Sequence, residues 1–405
     1  MRFLPAALIA LLISSLPAGA AAPLNVWQLT AAATVGNVVA EIDLAGAYFD
    51  GQGVTPDRVA AYSWMLRAAQ AGSPDAQTQL AEMLLSGYGH PPDGGEAIAW
   101  LVTATDQDYG PAEARLGDVY FYGLAGHTDW TRAIAPYRAA SGKRIASAEV
   151  NLAEIDQCTC GPGNHSEALR LLHDAADQNY APAFTRLGET YQDGTLGVPH
   201  DNAAGVAWFQ KAAAQNEPEA LYRIGLSYEN GWGVDPDAGK ALASYLKAAD
   251  LGEVDADYRA GIFYSLGVGV PKDPNEAERL WRIAAVGGVP DAEEAIGQLY
   301  FQGKSPGHSQ ADGVAWLERA GRSGRGDAYV FLAEWFSMMR QEDRAYDYAV
   351  LASRSRDRQA AEDGVAMMDT IMSIKRRAGL EPPLDTAEPG ATLPAMGSPR
   401  AIAAQ

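Results

Sequence analysis

Leu187-Gly188-Glu189-Thr190-Tyr191-Gln192-Asp193-Gly194, then Gly197-Val198-Pro199-His200-Asp201, then Trp208-Phe209-Gln210-Lys211-Ala212-Ala213 carry three marks in a fixed order. These are a leucine-small-x-x-tyrosine run, a glycine loop, and an aromatic residue before paired alanines. On either side the marks return, nine times in all between Glu41 and about Glu362. The units hold about 36 residues and start at Glu41, Gln77, Glu113, Glu149, Phe184, Leu221, Asp257, Glu293 and Tyr329. A period of that length belongs to stacked supersecondary units, none of which buries its apolar face alone. The expected fold is all-α: a right-handed α-solenoid of stacked helix-turn-helix units.

Within a unit, positions 4, 5 and 8 (Leu44, Ala45 and Tyr48 in the first) share one helical face, because spacings of three and four return to one side of a helix. Position 5 is always Gly or Ala, which suits close approach of a neighbouring helix. A glycine such as Gly51, Gly87 or Gly194 then ends the first helix in a left-handed cap. Acids open the second helix, and Asp273-Pro274-x-Glu276 and Asp93-x-x-Glu96 read as capping boxes. That helix carries Trp64, Trp100, Trp208, Trp281 or Trp316 before small residues. The tryptophans are expected as knobs filling holes left by alanine.

Residues 21–40 read as an N-terminal capping helix, 41–362 as about nine repeats, 363–378 as a closing helix, and 379–405 as a disordered Pro/Ala-rich tail. Residues 1–20 begin Met1-Arg2, run apolar from Phe3 to Leu16, and end Pro17-Ala18-Gly19-Ala20, the layout of a signal peptide cleaved near Ala20. The competing reading, an uncleaved anchor, meets a run shorter than the roughly 20 apolar residues that span a bilayer. No integral span is expected after cleavage, so the chain is expected to be periplasmic or secreted. Lys and Arg total 31 against 51 Asp and Glu, a formal charge of −20 that repels phosphate backbones and argues against nucleic acid as a partner.

The Leu-Gly-x-x-Tyr helix, the Gly-x-Gly-Val-x-x-Asp loop at Gly51, Gly231 and Gly267, and the Trp-x-x-x-Ala-Ala helix together resemble the Sel1-like repeat, a relative of the tetratricopeptide repeat. Tetratricopeptide units have about 34 residues and a tighter turn. The resemblance covers about 320 residues. It implies a non-catalytic adaptor that grips another protein on a concave face, in roles such as envelope signalling or polysaccharide regulation.

The fourth unit departs most, with Asp156 in place of the tyrosine and a Cys158-Thr159-Cys160-Gly161 loop. With Pro136 inside the preceding helix, either a kink or register change between Leu124 and His165, or drift without consequence, is expected. Cys158 and Cys160 stand as a strained disulfide, as free or intermolecular thiols, or as part of a metal site for which only His165 lies close in sequence.

Chemistry-bearing patterns are sparse. Ser244-x-x-Lys247 matches the start of a lactam-acylating motif but lacks its partner elements, and the loop glycines lack the phosphate-binding lysine. No cofactor-binding or metal motif is present. The rival to a scaffold is an envelope enzyme or enzyme subunit acting on peptidoglycan or a lactam. It needs a nucleophile with a base or paired carboxylates, and the sequence shows neither. Carbohydrate binding would need exposed aromatics, for which Tyr122, Trp232 and Phe331 are the candidates outside core positions.

The candidate site is the other face of the first helices. Positions 3, 6 and 10 place Arg115, Glu154, Arg186, Glu189, Arg223, Leu226, Arg259, Ile262 and Leu266 together, an acidic and arginine-bearing groove that turns apolar in the middle units. Arginine forks grip carboxylates, and the apolar residues would seat an anchor. The plainer reading is that these are exposed helix ion pairs.

Overall fold

A computed structural model of the protein describes residues 25–158, 164–303, 305 and 307–377. The expected signal segment, the tail from Gly379, Cys160 and the side chain of Cys158 lie outside these residues, so the cysteine alternatives do too. Among the described residues every regular element is an α-helix. The first helices are α2 (Val38–Asp50), α4 (Pro74–Ser86), α6 (Gly110–Tyr122), α8 (Ala146–Cys158), α10 (Ala181–Asp193), α12 (Pro218–Asn230), α14 (Val254–Leu266), α16 (Pro290–Phe301) and α18 (Gly326–Met338). They alternate with second helices α3 (Arg58–Gln70), α5 (Gly94–Thr105), α7 (Trp130–Gly142), α9 (His165–Asp177), α11 (Asn202–Ala213), α13 (Ala238–Asp250), α15 (Pro274–Val286), α17 (Gln310–Arg322) and α19 (Glu342–Ser353). α1 (Val26–Thr34) precedes this series and α20 (Arg358–Arg377) follows it. From α1 to α11 and from α13 to α20 each helix packs on the next in the chain, the pattern of an α-solenoid. Contacts divide the chain into two compact units, one ending at Ala220 and one beginning at Leu221.

The terminal helices differ from the expected bounds for local reasons. Gly36, at positive φ, breaks the front segment, and Asn37 accepts from the Ala40 amide, so residues 38–40 start α2 instead of finishing a cap. At the other end Asp357 accepts from the amides of Gln359 and Ala360, which starts the last helix at Arg358 and not at Asp363. Pro136 does not end α7, which runs unbroken from Trp130 to Gly142. The irregular fourth repeat instead shortens the spacing of first helices by one residue.

The caps follow the sequence, with one correction. Asp57, Asp93, Asp129, Asp201, Asp237 and Asp273 each accept from amides in the first turn of a second helix. Full capping boxes occur at Asn25/Gln28 and Ser309/Asp312, not at Asp93 or Asp273. The would-be third members are drawn elsewhere, Glu96 to the Trp100 indole at 3.3 Å and Glu276 to the Arg279 guanidinium at 2.6 Å.

The knob of each hairpin is also shifted from its expected place. Trp64, Trp100, Trp208 and Trp316 are only half-buried, whereas the next residue in each case (Met65, Leu101, Phe209, Leu317) is buried. Only in the seventh repeat is the tryptophan, Trp281, itself the knob. These side chains press on position 5 of the same hairpin. A Cβ on Gly188 would stand 2.4 Å from the Phe209 ring, and one on Gly261 2.4 Å from Trp281, so the bare backbone is what lets the two helices meet. The half-exposed tryptophans carry cations instead, with Arg67 over Trp64 and Lys211 over Trp208.

Buried polar groups at position 1 join neighbouring hairpins. In the first unit Glu41 pairs with Arg67 at 3.0 Å, and the same guanidinium donates to the Ala33 carbonyl at the end of α1. Gln77 accepts from Gln107 and donates to the Ala69 carbonyl at the end of α3, while Lys143 donates to Glu113 and Gln178 to Glu149. In the second unit Arg319 joins Glu293 to the Ala285 carbonyl. Each strut satisfies a buried side chain, and several also tie off a carbonyl at the end of a second helix. Asp257 is the exception. Ile283 stands where Arg67 and Arg319 do, and Gly287 where Gln107 and Lys143 do, so only the charge of Arg279 favours its anion.

Candidate functional site

In the first unit the first helices of successive hairpins touch directly, α4 with α6, α6 with α8, and α8 with α10. Their outward positions therefore lie side by side, and residues one repeat apart can pair. Arg115 on α6 donates to Glu82 on α4 at 2.6 Å and lies 3.5 Å from Asp118 one turn along its own helix. Burial opposes the charge of Arg115, but the two carboxylates outweigh it and raise its pKa. Burial also raises Asp118, against the pull of Arg115 and of Tyr137 and Asn151, which donate to it at 2.8 and 3.1 Å. Arg115 is thus a largely buried rung between repeats. Its guanidinium is held between Glu82 and Asp118 of its own chain.

Arg186 differs. It holds Glu189 at 2.7 Å and lies 3.7 Å from Glu219, yet its side chain remains 40 % exposed. With Glu154, Gln157, Asp193 and the apolar floor of Val150 and Leu172 it lines a recess of about 260 Å³ between α8 and α10. Three of the expected residues, Glu154, Arg186 and Glu189, thus share one concavity. Burial works against the Arg186 charge, but Glu189, Glu219 and Glu154 raise its pKa, so it stays cationic.

The second unit carries the rest. Arg259 lies 3.6 Å from Glu229 of the preceding first helix, and Arg223 and Leu226 are half-buried. Ile262 packs against the cluster around Trp281, so it belongs to the core margin more than to an open groove. Leu266 is 64 % exposed at the end of α14, where the expected anchor position is available, and Trp232 is partly exposed. Farther along, Gln298, Phe301, Gln302, Gln310, Phe331 and Trp335 line a recess of about 360 Å³ between the ends of α16 and α18. Of these only Phe331 stood out in the sequence. The remaining signal was an aromatic at Phe301 and Trp335 on the outward side of two first helices.

The Ser244 hydroxyl donates to the Lys240 carbonyl of its own helix at 2.9 Å, an ordinary helical back-bond. Among the described residues no group of three or more His, Cys, Asp or Glu side chains is placed to hold a metal ion, and no helix is long and apolar enough to cross a membrane.

The Sel1 repeat profile matches residues 38–73, 74–109, 110–129, 147–180, 182–217, 218–253, 254–288 and 290–324. It finds eight repeats. It stops short of α7, which carries Pro136, and leaves the ninth hairpin, α18 and α19, unmatched. A comparison with curated proteins finds no match. Among solved structures, a Sel1 repeat protein from Oxalobacter formigenes is 30% identical with a TM-score of 0.56, covering 68% of this chain and 80% of that chain. The antigen c5321 of uropathogenic Escherichia coli strains, described as displaying an SLR fold, is 22% identical with a TM-score of 0.55 and covers 89% of this chain and 76% of that one. The human IFIT1 dimer with m7Gppp-AAAA is 15% identical with a TM-score of 0.51, over 86% of this chain and 84% of that one, a likeness of fold alone.

Proposed function

This chain belongs to the Sel1 repeat family, and from that membership we propose that it is an exported, non-catalytic scaffold gripping another protein with its first-helix face. Sel1 repeat proteins are generally protein-interaction scaffolds. The observation that carries the reading for this chain is Arg186: a guanidinium held in place by Glu189, still 40 % exposed, at the rim of a recess floored by Val150 and Leu172. A cation fixed by an internal partner loses little freedom when it adds a second carboxylate. Glu154 beside it supplies an acceptor for a donor two or three residues away on the same partner segment. The capped RNA of IFIT1 is not carried over, because a formal charge of −20 repels phosphate.

A photo-cross-linker at Glu154 in the native compartment should yield one discrete protein adduct. The same group at Val59, exposed on a second helix, should yield none. Adducts equal at both places, or absent at Glu154, count against the scaffold reading. Export has its own check, since the mature chain should begin at Ala21. A mature chain that still carries Met1 overturns it.

A further inference from the structure

The recess between α16 and α18 occupies the place that the charged recess between α8 and α10 holds four repeats earlier, but its chemistry is different. Phe301 makes edge contacts with Phe331 and Trp335 at centroid separations of 5.3 and 5.0 Å, and three glutamines, Gln298, Gln302 and Gln310, complete the wall. Among the described residues no charged side chain lines it. Aromatic walls with neutral amide donors and acceptors suit an extended proline-bearing segment, whose rings pack on the aromatics while its carbonyls take the amide hydrogens.

A segment of that composition follows α20 directly: Gly379-Leu380-Glu381-Pro382-Pro383-Leu384. α20 packs on α18 and α19, and Lys375 in its last turn pairs with Asp343 in the first turn of α19. α19 begins just after α18 ends at Met338, so the chain leaves α20 at the same end of the hairpin as Trp335. From there the recess lies about two interaxial spacings away, roughly 20 Å. Six extended residues reach that far at about 3.3 Å each, which brings Pro382, Pro383 and Leu384 to the aromatic wall. Between the two places Met338 and Met339 are exposed at 73 and 50 %, an uncovered apolar step that Leu380 would cross.

We infer that the chain's own segment Leu380–Leu384 docks in the recess formed by Phe301, Phe331 and Trp335. This docking stands apart from the partner surface of the first unit, and either can fail without the other.

The test uses the full chain with benzoylphenylalanine in place of Leu384. Irradiation should give an intramolecular adduct mapped by mass spectrometry to residues 298–302 or 331–339. Because Trp335→Ala also thins the core margin, the decisive variant is Pro382→Gly with Pro383→Gly, which leaves every described helix untouched. It should lower adduct yield about tenfold through lost ring packing and a less restricted segment, with the helical circular dichroism unchanged. Unchanged yield in that variant, adducts scattered over the surface, or no adduct overturns the inference. In a mixture of isotopically heavy and light chains, adducts joining heavy to light overturn it in favour of a second copy.

Discussion

Asp257→Asn should make the protein more stable at pH 8 and leave it nearly unchanged at pH 4. The side chain is 4 % exposed, and neither Ile283 nor Gly287 can supply the strut that its counterparts receive. Burial pushes the Asp257 carboxyl from 3.8 up to about 6, with Arg279 only partly opposing. Since the folded state holds a proton that the unfolded chain releases, stability falls as pH rises from about 4 to about 6 and is level above that. The gap between the two values sets a ceiling of about 3 kcal/mol at about 1.4 kcal/mol per pH unit. Water penetration and relaxation around the site bring the expected gain to about 1–2 kcal/mol. The assay is the urea midpoint of parent and variant across pH 4 to 8, where charges elsewhere cancel in the difference. Ile283→Arg supplies the cation found at Arg67 and Arg319 and should flatten the same pH dependence while keeping the carboxylate. Parallel midpoint curves for parent and Asp257→Asn would refute the argument, because they would show that this carboxyl titrates alike in both states.

Two glycines in helices should respond with opposite sign to the same change. Gly188→Ala drives a methyl into the fully buried Phe209 ring and should destabilise by about 1–3 kcal/mol, whereas Gly142→Ala meets nothing within 4 Å and should stabilise by up to about 1 kcal/mol in thermal melts. Arg115→Met should destabilise by about 3–5 kcal/mol because Glu82 and Asp118 stay buried without their cation. Adding Glu82→Gln and Asp118→Asn should recover most of that loss in urea unfolding, and a triple variant as unstable as the single one would show that packing, not charge, is at stake.

Face assignments were legible because a helix returns to one side every three or four residues, so Arg115, Arg186 and Arg259 could be placed outward from spacing alone. Their partners were not legible. Arg115 meets Glu82 across 33 residues, a distance set by how far one hairpin slides along the next. The struts show the same limit, since the group that satisfies position 1 comes from the second helix in Arg67 and from beyond it in Gln107 and Lys143. No single spacing finds all three. The knob was misplaced for a related reason: tryptophan is the conspicuous residue, but the hole at position 5 is filled by its neighbour, which varies among Met, Leu, Tyr and Phe without changing the packing. What recurs in this chain is therefore what stacking requires. What differs between equivalent grooves, charged around Arg186 and aromatic around Trp335, is left over after stacking is satisfied, and it is there that the two grooves can prefer different ligands.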